Sequence, residues 1–152
     1  GICVDGAIVM LDTVAGEEFF FMRHLIPIAP LYCSAIGKIF LAEYEEEDRR
    51  QYLENTVFTP RTISTLCDEK SILADLKTID ETGTAYDREE YEYGLSCMAK
   101  GIYARGELIA GISLSGPTSR LAHKGMDRME EILADVADAL AAEPGLGSLL
   151  QL

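Results

Sequence analysis

The chain has 152 residues and carries 13 lysines and arginines against 26 aspartates and glutamates, a formal charge of −13 at neutral pH. A body this acidic is repelled by phosphate backbones, which excludes nucleic-acid binding by these residues themselves, and a 48% hydrophobic content excludes a disordered acidic tail. One folded domain is expected, and no run approaches the ~18 apolar residues of a membrane span or has the charged start of a signal peptide.

The four cysteines, Cys3, Cys33, Cys67 and Cys97, form no C-x-x-C pair and have no histidine at zinc-type spacing. They read as free thiols of a reducing cytoplasm, with no metal site and no cofactor expected. The opening Gly1-Ile2-Cys3-Val4 already looks like the inside of a strand, which points to a fragment of a longer protein.

In chain order, Asp5-Gly6 is a hairpin dipeptide between a short edge strand and a strand AIVMLDTV. A third strand is expected over Glu17 to His24, whose run Phe19 to Met22 suits burial on both faces; His24 alone carries no functional signal. Pro27 and Pro30 break the chain ahead of Ser34, an N-cap for the helix AIGKIFLAEY. The N–H groups of Ala35, Ile36 and Gly37 would then form an anion site at a partially positive helix end. Gly37 weakens that first turn, so either a ligand or another backbone approaches closely there.

The charge run Glu45 to Asp48 reads as a solvated face or as the cap of a short helix RRQYLEN. Asp68 caps a helix with Ile72, Leu73, Leu76 and Ile79 at helical spacing, ending near Gly83 and packing one face on the sheet. The acidic stretch Thr84 to Tyr93 reads as an exposed turn, because its carboxylates lack a histidine partner for acid–base work. Two β runs follow, LSCMAKGIYA and ELIAGISLS, joined by Arg105-Gly106 and stopped at Gly116-Pro117. Ser113 and Ser115 share one strand face, and Cys97 lies in the facing strand. An amphipathic helix is expected over Ala122 to Ala142, with Met126, Met129, Ile132, Leu133, Val136 and Leu140 on its apolar stripe; residues 1–145 would form the domain and 146–152 a frayed tail.

Three segments in this order, SAIGKIFLA, YDREEYEYGLSCMA and ISLSGPTSR, resemble the effector-binding domain of IclR-type bacterial transcription regulators. The resemblance spans nearly the whole chain. It implies an α/β (α+β) GAF-like fold, an antiparallel central sheet flanked by helices with a long C-terminal amphipathic helix, and a pocket for a small organic acid such as glyoxylate, pyruvate, a sugar acid or an aromatic acid. By motif, the effector-binding positions would be Ala35, Ile36, Gly37, Asp87, Cys97, Ser113 and Ser115. It also implies a homodimer or homotetramer that meets DNA only through an N-terminal winged helix-turn-helix outside this chain, and no contact with membranes. Two departures stand out: bulky Ile36 would narrow the pocket mouth, and Tyr32-Cys33 replace a frequent Leu-His approach to the helix. Two other functional classes compete, a GAF-like enzyme using Cys97 as nucleophile and a structural oligomerisation domain with a filled pocket.

Overall fold

Asp5-Gly6 folds the first two strands back on each other with both residues at positive φ (49° and 74°), as a two-residue hairpin requires. These strands are β1 (Ile2–Val4) and β2 (Ala7–Val9), shorter than expected, and β3 (Ile28–Pro30) completes an antiparallel sheet in the order β1-β2-β3. The elements belong to a computed structural model that describes residues 1–14, 16, 28–143 and 145–146. The strand expected over Glu17 to His24 lies outside the described residues.

A second antiparallel sheet has the order β4-β5-β6, formed by β4 (Ala85–Arg88), β5 (Leu95–Ala104) and β6 (Glu107–Pro117). The expected hairpin is present, closed by Arg105 and Gly106 at φ 56° and 85°. Reciprocal backbone hydrogen bonds of 2.8 Å between Gly1 and Gly111 join the two sheets. The helices are α1 (Ala35–Ala42), α2 (Glu46–Asn55), α3 (Glu69–Thr82), α4 (Thr118–Lys124) and α5 (Met126–Ala141).

Cross-strand pairing decides which helix covers which face. Ala85, Asp87, Cys97, Ala99, Gly101, Gly111, Ser113 and Ser115 alternate onto one face of β4-β5-β6, and α1 lies there because these small residues let a helix approach closely. Ile8, Leu31, Leu41, Ile72, Leu76, Ala85 and Ala99 build the core around α1. On the opposite face Leu133 and Ala137 of α5 are buried, and Ala137 packs with Ile102 and Ala110.

Several expectations change. The cap at Asp68 and the left-handed stop at Gly83 stand as expected, but α3 packs mainly on α1 rather than on the sheet, burying Ile72, Leu76 and Ile79 and turning Leu73 outward. The C-terminal helix is two helices, broken at Gly125 (φ 88°). Its stripe is rotated as well: Ala137 is buried, whereas Ile132 and Val136 are each 41% exposed. The run Glu45 to Asp48 supplies the start of α2, where carboxylates complement the helix dipole. Leu146 packs beside Ile102 and Ala110, so the first residue of the expected tail touches the core. Among the described residues no helix is long and apolar enough to cross a membrane.

Candidate functional site

The acidic stretch after α3 is not the exposed turn its composition suggested. Ala85 to Arg88 add β4 to the sheet, and Asp87 and Glu90 are buried at 1% and 5% exposure. Asp87 Oδ1 accepts the backbone N–H groups of Glu90 (2.7 Å) and Tyr91 (3.3 Å), so the carboxylate organises the turn that follows it. A strap before α3 holds that turn from outside. Thr65 Oγ1 donates to Glu90 O (2.6 Å), Thr62 Oγ1 donates to Glu89 O, and Arg61 donates to Tyr91 O (3.1 Å) with its guanidinium 3.8 Å from the Tyr91 ring centre.

Register then places Asp87, Cys97 and Ser115 directly opposite one another in a single row across three strands, and Ala85, Ala99 and Ser113 in the next row. Asp87 is buried, Cys97 and Ser113 are half-buried and Ser115 is exposed, so the row runs from the core out to an open polar shelf. Burial pushes the Asp87 carboxyl above its ordinary range, against the N–H groups of Glu90 and Tyr91 and the Lys38 ammonium, which pull it down. Burial pushes the Cys97 thiol up to about 12, with the Asp87 and Glu90 carboxylates adding to the rise and a hydrogen bond to Ser115 opposing it.

The start of α1 lies on the same face. Ser34 caps it, accepting the Gly37 N–H at 3.1 Å and donating to Pro30 O at 2.6 Å. Of the three amides expected to face an anion, that of Gly37 is therefore already used by the cap. Gly37 is required by backbone packing: a Cβ there would sit 2.6 Å from both Leu31 Cα and Pro30 O. Ile36 lies against Gly111, its Cγ1 2.7 Å from where a Cβ at that glycine would stand, two residues along β6 from Ser113. Its bulk is thus seated on the sheet. Tyr32 has a packing role, with its hydroxyl donating to Thr59 O (3.0 Å) and accepting Thr59 N–H (3.1 Å).

All seven sequence-derived positions therefore fall on one face of one sheet or on the helix start that packs there. Three residues were not singled out: Lys38, which is fully buried, and its partners Asp75 (2.6 Å) and Glu90 (2.7 Å). Lys38 and Glu90 lie inside the segments SAIGKIFLA and YDREEYEYGLSCMA that carry the family resemblance, and Lys38 is also a lysine inside an apolar run, but Asp75 has no such signal. A recess at the other end of α1, among Glu43, Asp80 and Tyr103, is separate from the shelf. No group of three His, Cys, Asp or Glu among the described residues could hold a metal ion.

Comparison with known proteins shows the family. Residues 1–142 match the family described as bacterial transcriptional regulator IclR C-terminal. The HTH-type transcriptional repressor AllR of Escherichia coli K12 is 36% identical over 118 residues, covering 77% of this chain and 44% of AllR. The HTH-type transcriptional regulator KdgR of the same organism is 34% identical over 117 residues, covering 76% of this chain and 44% of KdgR. The chain thus spans less than half the length of these relatives. The crystal structure of the transcriptional regulator YaiJ superposes with a TM-score of 0.88 at 30% identity, covering 95% of this chain and 82% of that one. The chain belongs to the IclR family of bacterial transcriptional regulators and is the C-terminal, effector-binding domain of such a protein.

Proposed function

We propose that the shelf binds a small organic acid and that this binding alters how the full-length protein engages DNA. The observation that carries the reading is the row Asp87, Cys97, Ser115, with Ser113 beside it, on the face where the N–H groups of Ala35 and Ile36 begin α1. A ligand carboxylate docks on those N–H groups. Ser113 and Ser115 donate hydrogen bonds to it, and Asp87 accepts one from a ligand hydroxyl. The chemistry is recognition, because a Cys97 thiol pushed up to about 12 supplies almost no thiolate at neutral pH.

DNA contact belongs to a winged helix-turn-helix beyond this chain, consistent with AllR and KdgR being HTH-type proteins of more than twice its matched length. Regulation then requires two arrangements of a homodimer or homotetramer for which the acid has different affinities. A thermal-shift screen against glyoxylate, pyruvate, sugar acids and hydroxybenzoates tests this. An acid at a hundred times its dissociation constant should add about 2.7 kcal/mol, several degrees in melting temperature. A hit that Ser113→Ala or Asp87→Ala removes supports the sensor. A flat panel with an intact fold supports an oligomerisation domain instead.

A further inference from the structure

Every residue of α1 is buried, and Lys38 is among them at 0% exposure. A lysine is almost never fully buried unless its ammonium is paired. Here Nζ lies 2.6 Å from Asp75 Oδ2 of α3 and 2.7 Å from Glu90 Oε1 of the turn after β4. Glu90 is also the residue whose N–H bonds Asp87 Oδ1 at 2.7 Å. One residue therefore takes the ammonium on its side chain and the site carboxylate on its backbone. This makes a continuous link from the first turn of α1, through Lys38 and Glu90, to Asp87.

Stability alone does not call for this link, since an apolar side chain of similar volume escapes the desolvation cost of a buried ion pair. Charge does. Asp75, Glu90 and Asp87 already gather three carboxyl groups around the site, and Glu90 Oε2 is buried with no hydrogen-bond partner among the described residues. An organic acid beside Asp87 adds a fourth negative group where like charges repel strongly.

We propose that Lys38 is the positioning residue of the effector site: its buried ammonium locks the Asp87 turn to the start of α1 and offsets the surrounding carboxylates, so that an organic anion can bind beside them. This rests on the shelf being an acid sensor. The Asp87 and Glu90 carboxylates act on the Cys97 thiol of β5 and the Cys33 thiol before α1, and Asp75 of α3 acts on Glu90. Burial raises both carboxyls, and Lys38 pulls each of them back.

The test compares wild type, Lys38→Met and Lys38→Met/Glu90→Gln. The double variant removes the partner charge along with the ammonium, so that it keeps the fold if the single variant does not. Calorimetric titration with glyoxylate and with pyruvate should show at least about tenfold weaker binding in Lys38→Met, where one neighbouring positive charge is lost. Binding should be weaker than wild type in the double variant too, where the local net charge is kept but the link to Asp87 is broken. Without ligand, the Asp87 carboxyl resonance should titrate higher in Lys38→Met than in wild type. A folded Lys38→Met with wild-type affinity and Asp87 titration, or a double variant with wild-type affinity, overturns the assignment of Lys38. A wild type that binds none of the panel acids overturns the sensor reading itself, and the role given to Lys38 falls with it.

Discussion

Replacing Gly37 by alanine sets two physical effects of opposite sign against each other. On helix propensity alone the change stabilises α1 by about 1 kcal/mol. Packing opposes it: the new Cβ would stand 2.5 Å from Ser34 Oγ and 2.6 Å from Leu31 Cα and Pro30 O. Two of those atoms are backbone or fixed to it and cannot swing away, so β3 and the start of α1 must separate, a strain of about 1–3 kcal/mol. Displacing Ser34 Oγ also removes the cap on Gly37 N, worth about 1 kcal/mol. Packing wins, and the net loss is about 1–3 kcal/mol, or roughly 2–4 °C of melting temperature per kcal/mol at this chain length. The assay is thermal and urea unfolding of Gly37→Ala beside Ser34→Ala, which loses the cap without the clash. Gly37→Ala should be the less stable of the two. If it melts at or above the wild type, the close approach of Pro30 and Leu31 to this helix is not what requires the glycine.

Three further outcomes follow from the same geometry. Cys97 should resist iodoacetamide at neutral pH and become reactive only as pH approaches its raised value of about 12, read by peptide mapping of the labelled protein; rapid labelling at neutral pH would restore the thiol enzyme. On the opposite face, Glu130 accepts hydrogen bonds from Thr84 and Tyr86 and is drawn down by them, so its contribution is present above its unfolded value and is lost as pH falls through its depressed folded value. Glu130→Gln should therefore cost about 1–3 kcal/mol near neutrality and flatten part of the acid-side fall in melting temperature; an unchanged acid limb would show that these bonds do not hold α5 to β4. Ser115 is exposed, so Ser115→Ala should leave stability within about 0.5 kcal/mol while weakening binding of a panel acid by the ~1.5–3 kcal/mol of a hydrogen bond to a charged group. Calorimetry with an acid from the thermal-shift screen reads the difference, and an unaltered affinity would remove Ser115 from the site.

Local chemistry determined a good deal of this protein. The Asp5-Gly6 and Arg105-Gly106 turns, the caps at Ser34 and Asp68 and the stop at Gly83 depend on backbone geometry within a few residues, and each is written in the chain at its own position. The pairing of Cys97 with the face of Ser113 and Ser115 was legible for the same reason, because strand periodicity is two. Tertiary structure decided what periodicity cannot rank. Only packing shows that Gly37 is held by Pro30 and Leu31, that Ile36 is seated on Gly111 and that α3 covers α1. Gly125 breaks the last helix because a glycine permitted in a helix is not obliged to stay helical. The acidic segment was the least legible, since a carboxylate looks the same in sequence whether it is solvated or buried. Asp87 and Glu90 are interior because a lysine some fifty residues upstream in an apolar helix reaches Glu90 and two strap threonines hold the turn, and those partners meet only in the folded chain.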